Sequence, residues 1–438
     1  MLAGLLTAIA AAVAAWAGVG ATAAAYVWAS PIGAQLAIGA DRSSAAFLML
    51  TGVSFAAGAA ASGAVRSPRA YFALWSLLQA AVSGVFVARD LVLFLACWDA
   101  ILAPLALLMW HWGGTDRRAA TRRLVWYWMA ASVPLLTAIV ALGVGARTFS
   151  FADLSGYRLA EGSQVILAVL FLAAFAARLP LFPFHAWLPR AYVAAPLPVV
   201  LVLSSVISKT AAYAIVRICL PFFPRGMADV APYAIGLATV GTLYGALLAT
   251  RQRDTRLLIA YASVSQLSFI ALGAFVATPD AVQGVLVASI SHGLVVAALV
   301  LLAGTLARRA GSFSFGAAGL GSRAPVLTSL VLIAMLAAIG VPGTSGAPGE
   351  LLILAAAFAR APGIGALAVL VIVLSAGYCL ALLRSVLSGP GDVRHADIGW
   401  RDRALVIPLL ALVVAIGVAP RAIGDLAEPA GEQPGSAR

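Results

Sequence analysis

The sequence predicts an all-α polytopic membrane protein of about thirteen transmembrane helices, arranged as two inverted five-helix repeats with broken helices. Of the 438 residues, 63% are hydrophobic and only 10% are charged, whereas soluble domains carry about 25% charged residues. Mean hydropathy is +1.02. Apolar stretches of about 20 residues, the length that crosses a hydrocarbon core as a helix, recur from end to end. Two of these stretches are interrupted by Pro and Gly, and paired interruptions in corresponding halves point to inverted repeats around a midplane ion site.

In order, the spans fall near 3–29, 44–65, 70–88, 90–110, 124–146, 163–184, 195–220, 231–250, 256–277, 281–305, 325–360, 364–386 and 403–423. The first, MLAGLLTAIAAAVAAWAGVGATAAAYVWA, has no basic start and is too long for a signal core, so it reads as a mature helix. The 163–184 span runs into LPLFPFHAWLP, where Pro180, Pro183 and Pro189 surround His185. The 325–360 span is too long for one straight helix and carries GVPGTSGAPGE, with Gly343, Gly346, Pro348 and Gly349 ahead of Glu350. The freed backbone groups at both breaks require a polar interior near mid-membrane. The division that follows is N-terminal helices over 1–69 and a first repeat over 70–220 with its break near 178–190. A second repeat covers 231–386 with its break near 341–350, and a C-terminal helix with a polar tail covers 387–438. The tail beyond Arg421, GDLAEPAGEQPGSAR, has the composition of a disordered segment.

The net charge of +12 is a matter of topology and not of nucleic-acid binding. Even-numbered loops hold seventeen arginines, and odd loops with the C-terminal tail hold eight. The arginine-rich side faces the cytoplasm, which puts the N-terminus inside and the C-terminus outside. The setting is a bacterial cytoplasmic membrane. Cys97, Cys219 and Cys379 are scattered, so neither a disulfide framework nor an iron–sulfur site is encoded. No dinucleotide fingerprint or P-loop occurs, and no His, Cys or carboxylate pair has metal-ligand spacing on one helix.

Ionisable residues inside the spans are few: Asp99, Arg178, Lys209, His292 and Glu350, with Asp90 and His185 as secondary positions. Such residues mark pathways or partners. Lys209 is the one lysine of the chain, and it sits in the apolar run LVLSSVISKTAAYAIV. A buried lysine can release its proton where arginine stays charged. GC-rich codon usage would also leave a solitary lysine. The order acid, cation, cation, histidine, acid, each on a different helix, fits a lateral chain of coupled protonation sites. Static ion pairs between helices are the plain alternative.

The segment PLFPFHAWLPRAYVAAPLPVVLVLSSVISKTAAYAIVRICLPFFP resembles the antiporter-like membrane subunits of respiratory complex I, of the NADH-quinone oxidoreductase subunit M (chain 4) type. RDTRLLIAYASVSQLSFIALGAF, ISHGLVVAALVLLAGTL and PVLTSLVLIAMLAAIGVPGTSGAPGELLILAAAF match later blocks in order, over about residues 40–425. The resemblance implies proton translocation, with the family's axis carried by Asp99, Arg178, Lys209, His292 and Glu350. It implies no cofactor in this chain, with flavin, iron–sulfur clusters and quinone in partner subunits. The partners are other membrane subunits, the lipid bilayer, and protons or cations. Three departures stand out: Arg178 replaces a lysine, Arg190 an aspartate, and Gln266 a histidine. Arg178 is accordingly expected as a fixed charge in contact with Asp99, or else against His185 or the open backbone of its own helix. The family's fourteen spans exceed thirteen by one, and the deficit falls before Asp99. A cation/proton antiporter, a membrane hydrogenase or an inorganic-carbon uptake subunit shares this pattern, and a non-pumping scaffold is a further reading.

Overall fold

The computed structural model describes residues 22–29, 33–314, 324–388 and 397–420. Ten helices in it are long and apolar enough to cross a membrane. They include α1 (Arg42–Ala61), α2 (Pro68–Val87), α3 (Leu91–Trp112), α4 (Arg117–Ala146) and α6 (Glu161–Arg178), with the short α5 (Phe151–Ser155) before α6. After α7 (Leu188–Ala194) come α8 (Leu197–Phe222), α9 (Pro224–Arg251), α10 (Thr255–Val276) and α11 (Pro279–Ala310). The second broken element is α12 (Pro325–Ile339) with α13 (Gly346–Arg360), followed by α14 (Pro362–Ser388) and α15 (Trp400–Val418).

The first predicted span needs correction. Thr22–Ala29 is a strand, β1, paired antiparallel with β2 (Ala34–Gly39), and residues 1–21 of the span lie outside the described residues. The hairpin is held at its far edge, where the Arg89 amide donates to the Ala37 carbonyl at 2.9 Å. The polar tail lies outside the described residues as well.

Inversion is visible in matching details of the two halves. Asp90 caps α3 by accepting the amides of Val92 (2.7 Å) and Leu93 (3.3 Å), and Asp254 caps α10 by accepting that of Arg256 (2.8 Å). Each capping residue also forms a one-residue bridge, Asp90 with Ser150 and Asp254 with Ser314. The two pairs are separated by the same sequence interval. Because an odd number of crossings lies between α3 and α10, the caps sit at opposite ends of the bundle. Asp90 lies at the odd-loop end and Asp254 at the arginine-rich end.

Burial sorts the helices. The membrane windows of α8 and α11 are each 94% buried, against 28% for α4, whose Trp126, Val133 and Val144 point outward. An apolar residue gains nothing by leaving lipid, so what places α8 and α11 at the centre is their small and polar residues, which allow close helix contact and satisfy one another. Gly293 of α11 shows the first effect. A Cβ there would stand 2.5 Å from the Ser205 carbonyl oxygen of α8, so only glycine lets the helices approach this closely beside Lys209.

Both breaks are present, with shifted edges. The first spans 179–187, and the Trp187 indole N–H closes it by donating to the Ala177 carbonyl at 2.8 Å. The second spans 340–345, opened by Gly340 in a left-handed conformation at φ +81°. Pro189, Gly346, Pro348 and Gly349, expected within the breaks, belong instead to the first turns of α7 and α13. The first turn suits Pro, since its amides lack helical partners in any case. Nor is either break wholly internal, because Pro183, Phe184, Pro342 and Gly343 are exposed on the surface of the chain.

Candidate functional site

The five expected axis residues fall near the middle of their elements. Asp99, Lys209 and His292 lie about halfway along α3, α8 and α11, while Arg178 and Glu350 flank the two breaks. Lys209 is fully buried. Around it α8 widens into two π-turns, Leu203–Ile207 and Ile215–Cys219. Widening shifts the hydrogen-bond register by one residue and leaves a carbonyl free. The Lys209 Nζ donates to that of Ser204 and, at 3.4 Å, to the Ser208 hydroxyl. Backbone at the π-turn therefore holds the amine within an otherwise apolar run. Ser205, four residues before it on the helix, has an unpartnered hydroxyl.

His292 and Glu350 line one cavity with about 40 Å³ of space for water centres, enough for a few waters at roughly 10–15 Å³ each. Gln266, Ser263, Ser291 and Tyr378 supply its other polar groups. Gln266 is within hydrogen-bonding reach of the Glu350 carboxyl. The Ser291 hydroxyl pairs with that of Ser345, in the second break, at 2.6 Å. The His292 Nδ1 has no protein partner, which leaves it available to water in this cavity. Gly340 was missed by the sequence reading and does two things here. Its positive φ turns the chain at the break, and its missing side chain leaves the space that the Glu350 carboxyl occupies. Gly340→Ala should lower stability by about 1–2 kcal/mol from the backbone alone and also displace Glu350. Melting of the purified complex and its proton transfer rate should both fall.

The other end of the axis departs from expectation. Among the described residues no ion pair joins Asp99 to Arg178. Asp99 is exposed on the surface of the chain and accepts a 2.6 Å hydrogen bond from the Ser132 hydroxyl. Arg178 is 3% exposed, and its guanidinium lies between the rings of Trp98 and Trp128, 3.7 and 4.3 Å from their centroids. It donates to the Trp98 carbonyl at 2.9 Å, and its Nη1 is unpartnered. Two indole faces stabilise a desolvated cation by about 2 kcal/mol or more each, and a planar guanidinium fits between them better than an ammonium. Neither His185 nor the backbone of α6 is the partner. His185 instead stacks on Phe182 and meets Tyr244 edge to face, with ring centroids 5.9 and 4.9 Å away. Asp99→Ala should consequently alter subunit stability by only about 0.5 kcal/mol. A thermal-melting loss of several kcal/mol in the purified subunit would contradict this geometry.

A half-buried ionic cluster went unnoticed in the sequence. At the odd-loop end the Asp41 carboxylate meets Arg217 at 2.9 Å and Arg89 at 3.2 Å, and caps α1 through the Ser44 amide at 2.8 Å. The Ser44 hydroxyl links to the Tyr213 hydroxyl at 2.9 Å, which donates to the Phe86 carbonyl at 3.1 Å. Burial opposes ionisation of Asp41, but Arg217, Arg89 and the Ser44 amide and hydroxyl outweigh it and hold the carboxyl below its ordinary range. The secondary position Asp90 serves the cap described above and accepts the Gln35 amide of β2 at 3.1 Å. Its carboxyl is pushed up by burial, against the three amides that it accepts. The spacing i, i+4, i+8 of Lys209, Tyr213 and Arg217 on one helical face was the legible signal for this cluster.

Inverted repeats with broken helices, a buried lysine held by a π-turn and a histidine–glutamate cavity define a multi-pass membrane protein of the antiporter-like class. The sequence profile of the NADH:quinone oxidoreductase/Mrp antiporter transmembrane family matches residues 88–375, and the chain belongs to that family. It is 36% identical over 369 residues to NADH-quinone oxidoreductase subunit M of Pseudomonas aeruginosa, covering 81% of this chain and 72% of that one. The same-named subunit of Rhodobacter capsulatus is 33% identical over 417 residues, at 91% and 81% coverage. In three dimensions the chain is similar to a chain of respiratory complex I from Thermus thermophilus, with a TM-score of 0.89, 30% identity and coverage of 98% and 93%. A chain of the Mrp complex from Dietzia shares the fold at a TM-score of 0.86 and 22% identity, covering 97% and 90%.

Proposed function

We propose that this chain is a proton-translocating membrane subunit of an NADH-quinone oxidoreductase-like complex, with Lys209, His292 and Glu350 as its exchanging groups. The observation that carries this reading is Lys209. A solitary lysine on a π-turn carbonyl, beside a cavity lined by His292 and Glu350, has few structural uses and suits a transient proton carrier. Proton gain or loss at one group alters the charge felt by the next, which gives the lateral coupling a long-range pump needs. Arg178 enters as a fixed charge held by its tryptophans, and Asp99 at the surface faces whatever subunit lies alongside. The two repeats are taken as 70–220 and 231–386.

Partners on this reading are the other membrane subunits of the complex, with flavin, iron–sulfur clusters and quinone in subunits outside this chain. Among the described residues no group of His, Cys, Asp or Glu is arranged to hold a metal ion. The membrane is the bacterial cytoplasmic membrane, arginine-rich loops inward. Identity of 33–36% to subunit M, against 22% to the Mrp chain, favours the quinone-reducing type of complex over a cation antiporter. The test is reconstitution of the purified complex in sealed vesicles with a pH-sensitive dye. Redox-driven acidification that is sensitive to Glu350→Gln supports the reading, and Na⁺-driven exchange without any redox partner overturns it.

A further inference from the structure

A cavity reaches the surface at the arginine-rich end, on the seam between the two halves. It has about 210 Å³ of space for water centres, with Leu197 and Val200 on one side and Arg256, Val300 and Phe313 on the other. Its floor is Tyr192, which is 1% exposed. The Tyr192 hydroxyl donates to the Ser263 hydroxyl at 3.5 Å and has the Ser204 hydroxyl within reach. Ser263 leads inward, while the Ser204 hydroxyl donates to the Leu201 carbonyl at 3.0 Å. Ser263 lines the cavity of His292 and Glu350, and Ser204 carries the carbonyl that holds Lys209. Ile259 lines both cavities, so a single layer of side chains separates them.

We propose that Tyr192 is the relay and selectivity residue of this seam, passing protons between the outer cavity and the cavity of His292 and Glu350 while excluding hydrated cations. The inference rests on Lys209 being the central carrier. A proton delivered by a cavity water joins the phenol oxygen as the phenol's own proton moves to the Ser263 oxygen. That hydroxyl passes its proton inward in turn, and each oxygen ends with one proton and no net charge. A sodium ion would have to shed its water and part a closed floor of aromatic and apolar side chains. The hop needs neither step, which makes the seam specific for protons.

In the assembled complex in vesicles, Tyr192→Phe keeps the ring and removes the hydroxyl. It should slow redox-driven proton transfer about 100-fold with the complex intact on gel filtration. Tyr192→His, which restores a proton-relaying group, should recover part of the rate, a rescue that a packing defect would not show. Val200→Cys should react with a charged thiol reagent added from the arginine-rich side, above the background of Cys97, whether or not the complex turns over. Unchanged transfer in Tyr192→Phe, or no labelling of Val200→Cys, overturns the proposal while leaving Lys209 as the carrier. Full transfer in Lys209→Ala would instead remove the reading on which it rests.

Discussion

Lys209→Ala in the assembled complex should all but abolish proton translocation, a fall of about 100-fold or more, the low end of what positioned acid–base groups contribute. The amine is fully buried, and it donates to the Ser204 carbonyl and the Ser208 hydroxyl, with no carboxylate paired to it among the described residues. A cation held this way is not part of a stabilising ion pair. Removing it relieves desolvation and costs mainly the packing of its stem. Melting of the variant complex in detergent should therefore stay close to that of the parent. Lys209→Arg is the sharper control, because it keeps positive charge and hydrogen bonding but cannot release a proton. If the charge alone matters, arginine restores pumping. If proton exchange matters, arginine fails as alanine does. Dye-monitored acidification of vesicles separates the two outcomes, and normal pumping in Lys209→Arg would end the carrier role.

Asp41→Asn should be the most destabilising single change outside the axis, at about 3 kcal/mol, because it leaves two guanidiniums facing each other without their anion. Arg89 is 6% exposed, already has one unpartnered nitrogen, and would keep only the Ser44 hydroxyl at 3.3 Å, a neutral partner that does not replace the anion. The loss also reaches α1, whose N-terminus Asp41 caps. The pH dependence follows from the sign of the shift. The folded carboxyl titrates below the value of about 3.9 found in unfolded chains, so its contribution is complete above that value. It is lost as pH falls through the lowered folded value. Parent and Asp41→Asn should thus differ in melting at neutral pH and converge in strong acid. Removing both Asp41 and Arg217 should cost less than the two single changes added together, because the pair disappears as a unit.

Much of this protein could be read from the order of its residues. Hydrophobic runs of membrane length, Pro and Gly clusters at residues 180–189 and 343–349, and a single lysine are one-dimensional signals. Each has a direct physical cause in the bilayer, which leaves the backbone no partners other than itself. They were sufficient for the fold class, the two broken helices and the family. The first span failed because Thr22–Ala29 is as apolar as a helix, and pairing with β2, which decides its form, is a contact between segments. The Asp99–Arg178 pair failed for a related reason. Opposite charges in apolar runs invite pairing, but the rotation of α3 turns Asp99 to the outside while Trp98, its neighbour in sequence, faces Arg178. Side-chain direction about a helix depends on which face the rest of the bundle buries. The Asp41 cluster, the Tyr192 floor and the π-turn under Lys209 are of the same kind. Each joins residues far apart in the chain or shifts a hydrogen bond by one position, and only the packed helices determine such partners.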